Sequence, residues 1–249
     1  MTTKQVAITG AGRGIGKAIA ESFLRHGWVV WALLRQESQV ESLAKLGDAR
    51  AVAFDASDEA SVLAAAKRLQ KETLNALVNN AGIAMSSPLA KTTTDEFLRV
   101  QRINVTTPFI LCRELMPLMA KNGGGRVINI ASTASRKGFK YTSAYCVSKH
   151  ALLGLTRSLA VEFATKAVTV NAVSPGWTET DMLTSTVERI ASATGRSVTD
   201  ARQTLERMNP LGRAVLPDEV ADVVYFLASS TAGAAITGAS YDIDGGETV

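Results

Sequence analysis

A glycine-rich stretch near the start of the chain constrains the fold more than any other feature. Four glycines fall within "GAGRGIG" (10–16), directly after the short apolar run "QVAIT" (5–9) and before the helical pattern of "KAIAESFLRHG" (17–27). Glycines let backbone amides approach a pyrophosphate, and the N-terminus of the next helix favours its negative charge. The spacing departs from G-x-G-x-x-G, but a ligand-free turn would not need so many glycines. We therefore predict a dinucleotide site.

Short apolar runs alternate with helical patterns along most of the 249 residues. Further strands are predicted at 28–34, 49–54, 74–80, 125–132, 167–175 and 240–246, and further helices at 37–46, 58–72, 94–121, 143–166 and 217–229. Uniformly apolar strands in repeated β-α-β units imply a parallel sheet with helices on both faces. Right-handed crossovers then give a doubly wound, Rossmann-type α/β fold, predicted as a single domain over residues 1–249. Pro108 and Pro117 are candidate kinks in the long helix at 94–121.

One region breaks this rhythm. Residues 177–213 are polar, helical in places and contain no predicted strand. They follow the carboxyl end of a strand, where open α/β sheets bind their ligands. We therefore expect a helical substrate lid here.

Composition excludes several classes of function. The net charge of +4 comes without a basic block, so no nucleic-acid partner is expected. Two cysteines (Cys112, Cys146) and two histidines (His26, His150) give no metal-ligand spacing and no disulfide framework. No apolar run reaches the length of about 18 residues that a membrane span needs. The first residues lack the apolar core of a signal peptide, so a cytoplasmic location is expected.

Six motifs, in order along nearly the whole chain, resemble the short-chain dehydrogenase/reductase family in its shorter, single-domain form. They are Gly10-x-x-x-Gly14-x-Gly16, "NNAG" at 79–82, Asn104 in "RINV", "IAS" ending at Ser132, Tyr145-x-x-x-Lys149, and "SPG" with Pro175 and Gly176. Each motif alone is weak, and a tyrosine–lysine pair one helical turn apart is common on helix surfaces. Together they imply an oxidoreductase with the catalytic residues Asn104, Ser132, Tyr145 and Lys149.

The resemblance implies a role for each catalytic residue. Tyr145 is the proton donor in reduction and the base in oxidation. A free tyrosine, with a pKa of about 10, is a poor donor at neutral pH, so we expect the nearby Lys149 charge to lower that pKa. Lys149 would also bind the nicotinamide ribose, and Ser132 would hydrogen-bond the substrate oxygen. Asn104 would end a water chain that leads from the lysine.

The cofactor implied is NADP(H). In NAD-dependent relatives an acid on the ribose hydroxyls would fall at Leu34, which cannot accept a hydrogen bond, whereas the adjacent Arg35 suits a 2′-phosphate. Arg13 would be a second cation. Asp55 would face the adenine, cap the helix that starts near 58, or do both. The cofactor-binding residues predicted are Gly10, Arg13, Gly14, Ile15, Gly16, Arg35, Asp55, Ala56, Asn80, Ala81, Gly82, Tyr145, Lys149, Pro175, Gly176 and Thr178.

The substrate is less constrained. "NAVSPGWTETDM" (171–182) and "NPLGRAVLPDEVADVVYFLAS" (209–229) look most like the 3-oxoacyl reductases of fatty-acid and polyketide synthesis. Of two positions where that family grips a carrier protein, Lys166 is basic and Gly123 is not. Three cations flank the site and could instead meet a phosphate-bearing thioester, or simply lie in a solvated loop: Arg136, Lys137 and Lys140.

Three functions stay open at this point. The leading one is NADPH-dependent reduction of a ketone, such as a 3-oxoacyl thioester linked to CoA or a carrier protein. The second is oxidation of a cyclic, aryl or hydroxyacyl secondary alcohol. The third is a non-catalytic dinucleotide sensor or scaffold on the same fold. The resemblance also implies a homotetramer, with the helices at 94–121 and 143–166 packed against their symmetry mates.

Overall fold

Seven parallel strands form one sheet in the order β3-β2-β1-β4-β5-β6-β7 in a computed structural model that describes residues 3–249. The strands are β1 (Gln5–Thr9), β2 (Val29–Leu34), β3 (Ala49–Ala53), β4 (Ala76–Asn79), β5 (Gly125–Ile130), β6 (Val168–Pro175) and β7 (Ser240–Ile243). All neighbouring pairs are parallel, so the doubly wound sheet predicted from the sequence is confirmed.

Nine α-helices accompany the sheet in the described part of the chain. They are α1 (Gly14–Arg25), α2 (Glu41–Ala44), α3 (Glu59–Leu69), α4 (Thr94–Gln101), α5 (Thr107–Lys121), α6 (Ser143–Phe163), α7 (Asp181–Thr194), α8 (Val198–Glu206) and α9 (Pro217–Ser229). Helices α1 and α9 pack on one face of the sheet, and α3, α5 and α6 pack on the other. Strand side chains alternate between these two cores: Val6 and Ile8 face one, and Ala7 faces the other. No described helix is long and apolar enough to cross a membrane.

The strand order places the ligand crevice. From the neighbouring strands β1 and β4, the later strands are added towards opposite edges of the sheet. The connections that follow these two strands therefore cross to opposite faces of the sheet. A crevice opens at such a switch point, at the carboxyl ends of the strands. The glycine loop after β1 and the "NNAG" segment at the end of β4 meet there.

The long helix predicted at 94–121 is interrupted by a π-helical turn, Arg102–Thr106, which separates α4 from α5. In this turn the backbone N–H of Thr107 bonds the carbonyl of Arg102, five residues back. The next residue, Pro108, has no N–H for the carbonyl four residues before it, so a regular α-helix cannot continue through this point. Pro117, the other predicted kink, lies inside the continuous helix α5. The break therefore falls at Asn104 and its neighbours.

The excursion at 177–213 is a helical hairpin with an apolar core of its own. Helices α7 and α8 bury the side chains Leu183, Val187, Ala191, Ala201 and Leu205 against one another. A backbone bridge between Thr178 and Val215 closes its base. As predicted, the segment contains helices and no strand.

Candidate active site

The glycine loop has the shape that a pyrophosphate requires. Gly10 and Gly14 have φ values of +67° and +52°, where residues other than glycine are strained. A Cβ atom built on Gly16 would clash with the Gly10 carbonyl oxygen, so the turn can close only around glycine. Within the described residues, helix α1 has no side-chain hydrogen bond at its N-cap Arg13 and no acidic side chain in its first turn. Its free amides and positive dipole end therefore fit a diphosphate.

Hydrogen bonds hold the loop after β4 against the glycine loop. The hydroxyl oxygen of Thr9 accepts from the backbone amides of Asn80 and Ala81, both at 2.9 Å. In return, the Asn80 side-chain amide donates to the backbone oxygens of Thr9 at 2.9 Å and Gly10 at 3.3 Å. The two loops therefore form one rigid wall of the crevice.

The carboxyl ends of β2 and β3 carry a cation and a carboxylate, Arg35 and Asp55. Arg35 is exposed just beyond the buried Leu34 at the end of β2. The backbone N–H and hydroxyl of Ser57 lower the pKa of Asp55, and the charges of Arg35 and Arg99 add to this. The expectation that Asp55 caps the next helix is wrong, because the N-cap of α3 is Asp58.

Tyr145 and Lys149 lie on α6 beside the carboxyl end of β5. The Lys149 ammonium is buried, donates to the Ile130 carbonyl at 2.8 Å and lies 5.7 Å from the centre of the Tyr145 ring. A Cβ atom built on Gly82 would be 3.7 Å from the Lys149 nitrogen and 3.2 Å from the Asn104 amide oxygen. Gly82 thus lies where the "NNAG" segment, the π turn and α6 converge.

The two pKa shifts differ from the sequence expectation. Burial raises the pKa of Tyr145, and the nearby Ser132 hydroxyl only partly opposes this rise. Burial also lowers the pKa of Lys149 to about 8. The expected net lowering of the tyrosine pKa is therefore wrong for this structure, because desolvation outweighs the effect of the neighbouring groups. Both groups remain protonated at neutral pH.

Ser132 lies two residues beyond β5, where it caps the short helix Thr133–Ser135. Its hydroxyl oxygen accepts from the backbone N–H of Ala134 at 3.1 Å, and the hydroxyl lies near enough to the Tyr145 phenol to favour a lower pKa of that group. A hydroxyl held by a backbone amide in this way is oriented before any substrate arrives.

Asn104 uses its whole side-chain amide to hold other parts of the site. Its oxygen accepts from the Ile83 amide at 2.9 Å, and its nitrogen donates to the Ile83 carbonyl at 3.0 Å and to the Ser148 hydroxyl at 2.9 Å. The Ser148 hydroxyl in turn bonds the Tyr145 carbonyl at 2.7 Å. These contacts support a positioning role for Asn104.

Three further predicted cofactor residues lie at or just after the carboxyl end of β6. Pro175 ends β6, and the Gly176 amide donates to the Ile243 carbonyl at 3.0 Å. The Thr178 hydroxyl is buried and donates to the Gly176 carbonyl at 3.0 Å, which fixes this turn. Ile15 packs against the core behind the glycine loop.

Known proteins match the chain over nearly its whole length. A family model described as enoyl-(acyl carrier protein) reductase matches residues 10–248. The oxidoreductase YxjF of Bacillus subtilis, itself uncharacterized, is 37% identical, and the 3-oxoacyl-[acyl-carrier-protein] reductase FabG of Pseudomonas aeruginosa is 36% identical. Coverage is 98% of both chains for YxjF, and 98% of this chain and 96% of the other for FabG. The chain belongs to the short-chain dehydrogenase/reductase family. It is therefore an oxidoreductase.

A solved relative from the same family holds a nicotinamide cofactor. A single-residue variant of actinorhodin polyketide ketoreductase, solved with NADPH, is 31% identical and superposes with a TM-score of 0.91. The alignment covers 99% of this chain and 97% of the other. The glycine loop and Arg35 of the present oxidoreductase fit the same class of dinucleotide.

Two of the three loop cations of this oxidoreductase are already paired within the chain. Arg136 lies 3.2 Å from Asp242, and Lys137 lies 3.4 Å from the buried Glu247. The structure therefore does not present Arg136 and Lys137 as free partners for a phosphate. Lys140 makes no ion pair with any described residue, and its ammonium lies over the ring of Tyr141 at 4.9 Å.

Sequence reasoning missed several residues that build this site. Thr9 and Ser148 carry the hydrogen bonds described above, and both are buried hydroxyls beside a recognised motif. Thr180, at the base of the lid, lies 3.2 Å from a Cβ built on Gly14, so the lid touches the glycine loop. A hydroxyl next to an apolar strand end could have indicated Thr9, but no sequence signal pairs Thr180 with Gly14.

Proposed function

We propose that this oxidoreductase uses NADPH to reduce a ketone to a secondary alcohol, with Tyr145 as the proton donor. The observation that supports this proposal most strongly is the arrangement of Tyr145, Ser132 and Lys149 at the carboxyl end of β5. The glycine loop after β1 and Arg35 after β2 lie across the crevice from these three residues. When bound, NADPH supplies the hydride. The residues of the chain supply the proton and the electrostatic stabilisation.

Each residue has a task that its surroundings support. The raised pKa keeps the Tyr145 phenol protonated, so it can donate its proton as negative charge develops on the substrate oxygen. The Ser132 hydroxyl, which lies near that phenol, donates its one proton to the same substrate oxygen. The Lys149 ammonium stabilises the phenolate that remains after transfer. Asn104 and Ser148 hold the backbone around these groups.

Arg35 supports the choice of NADPH. Its guanidinium is exposed beyond β2 and close enough to Asp55 to lower the pKa of that carboxyl. A 2′-phosphate placed there would receive charge-assisted hydrogen bonds, whereas Leu34 offers nothing to the 2′-hydroxyl of NADH. A ketone within a 3-oxoacyl thioester is the leading substrate, in keeping with the activity named for the Pseudomonas aeruginosa relative.

The proposal is tested with Tyr145→Phe on a panel of ketones and 3-oxoacyl thioesters. We expect kcat for NADPH-dependent reduction to fall by about 100-fold or more, because general acid catalysis contributes about that much. Binding of NADPH, followed by fluorescence, should change little. Tyr225→Phe, on α9 and stacked on His26, is the matched control and should keep full activity. A Tyr145→Phe enzyme that retains more than about a tenth of the wild-type rate would remove Tyr145 as the donor.

A further inference from the structure

Tyr141 occupies a backbone position that favours glycine. The Thr142 amide donates to the Phe139 carbonyl, which closes a four-residue turn with Tyr141 third. Tyr141 has φ +67°, as the third position of a type II turn requires, and glycine or asparagine is the usual residue there. A bulky side chain in this conformation is strained. The chain therefore keeps a tyrosine where a smaller residue would be less strained.

Packing does not explain this tyrosine. Its side chain belongs to none of the apolar cores, and the residue is 50% exposed. Only one other non-glycine residue among those described, Ala167, has a positive φ. It lies in the tight turn before β6, at the end of the strands opposite to the crevice. Strain without a packing gain indicates that the Tyr141 side chain has a function.

The position of Tyr141 points to that function. The turn lies between Ser132 and Tyr145, only a few residues before α6 begins. The Ser87 amide donates to the Tyr141 carbonyl at 2.7 Å. Ser87 lies in the same loop as Ile83, whose backbone Asn104 holds by hydrogen bonds. The turn at Tyr141 is therefore hydrogen-bonded to the loop that Asn104 also connects to α6. Tyr141 therefore lies where the loops that follow β4 and β5 meet, and the Lys140 ammonium lies over its ring at 4.9 Å.

We propose that Tyr141 is a specificity-determining residue whose ring contacts the part of the substrate beyond the reacting carbonyl. A large, flat and stiff side chain covers an alkyl or aryl substituent at low entropic cost. The turn conformation fixes the position of the Tyr141 backbone, and the hydrogen bond from the Ser87 amide to the Tyr141 carbonyl holds the backbone there. The substrate class that fits is a ketone with an extended apolar substituent. This inference rests on the ketone reduction proposed above.

The test compares two ketones that differ only in length, ethyl 3-oxobutanoate and ethyl 3-oxooctanoate. The measured quantity is the ratio of kcat/KM for the long ester to kcat/KM for the short one, with NADPH saturating. Tyr141→Gly and Tyr141→Asn, both suited to the turn, should lower this ratio by about tenfold, which is the usual worth of apolar contacts of this size. Tyr141→Phe should keep the ratio within about twofold, because the ring is retained.

Ala167→Gly is the matched control for strain relief alone. It should raise the melting temperature, as Tyr141→Gly should, while leaving the ratio unchanged. An unchanged ratio in active Tyr141→Gly and Tyr141→Asn enzymes would overturn the inference and leave ketone reduction standing. Equal losses of kcat/KM for both esters would show that Tyr141 only positions the loop, and this result would also overturn the inference. A wild-type enzyme that turns over neither ester nor any other ketone overturns both proposals.

Discussion

At the scale of single residues, burial sets the protonation states on which the proposed chemistry depends. Lys149 loses solvent on every side and keeps one hydrogen bond, to Ile130, so its pKa falls to about 8. Tyr145 loses solvent as well, and its pKa rises. The same physical cause moves the two groups in opposite directions, because burial penalises the cation in one and the anion in the other.

These shifts predict the pH profile of ketone reduction. The Lys149 ammonium is charged below about pH 8 and neutral above it, so kcat/KM should be flat below that pH and fall above it. Tyr145 stays protonated throughout this range and cannot cause the fall. Steady-state rates from pH 6 to 10 test this. Lys149→Met should be much slower and lack the fall near pH 8, and a fall of unchanged position in that variant would contradict the assignment.

Arg35 should decide between the two nicotinamide cofactors. Arg35→Ala removes the charge-assisted bonds to the 2′-phosphate, so KM for NADPH should rise by about tenfold to a hundredfold while KM for NADH stays near its wild-type value. Arg25→Ala, at the last turn of α1 and paired with Asp218 on the surface, should change neither constant. Equal or better catalytic efficiency of the wild type with NADH would contradict the preference.

At the scale of elements, the π turn between α4 and α5 determines where Asn104 points. Its buried amide binds the backbone N–H and C=O of Ile83 and so fixes the loop at the crevice. Asn171 on β6 is equally buried and makes comparable bonds, to the Ala239 amide at 3.1 Å and the Ile236 carbonyl at 2.8 Å. The two asparagines therefore form a natural pair for comparison.

Both alanine variants should lose stability, but only one should lose activity. Asn104→Ala and Asn171→Ala each leave a partly buried backbone amide and carbonyl without their side-chain partner, which costs up to about 1–3 kcal/mol per unsatisfied group. Chemical denaturation should show similar losses. Asn104→Ala should also lower kcat about tenfold or more, since small displacements of a catalytic group are costly. Equal activity of the two variants would show that Asn104 serves stability alone.

The elements also show how far sequence reasoning reaches. Apolar runs and glycines predict the strands, their parallel pairing and the dinucleotide crevice, because these follow from periodicity and from local backbone limits. The π turn was not predicted, since it depends on how α4 and α5 pack around Asn104. The capping role of Asp58 and the ion pairs of Arg136 and Lys137 were also missed. These depend on side chains that meet only after the chain folds.

At the scale of the whole molecule, the outer face of α6 has no partner within the described chain. Five of its exposed positions are small or apolar, namely Val147, Ala151, Gly154, Ser158 and Val161, and they lie beside the polar His150, Arg157 and Glu162. Small side chains let two helices approach closely, and Val161 is 82% exposed. On α5, which also lies in the segment expected at a subunit interface, Phe109 is partly exposed. These faces suit contact with further copies of the chain.

We therefore predict a homotetramer that depends on α6. Light scattering at micromolar concentration should give four times the mass of one chain. Val161→Glu places a charge in the middle of the proposed contact, where its desolvation is unfavourable, so the mass should fall to that of a dimer or a single chain. Leu46→Glu, an exposed apolar residue beyond α2 at the opposite edge of the sheet, should leave the mass unchanged. A wild-type protein with the mass of one chain would refute the tetramer, and a tetramer insensitive to Val161→Glu would place its contacts elsewhere.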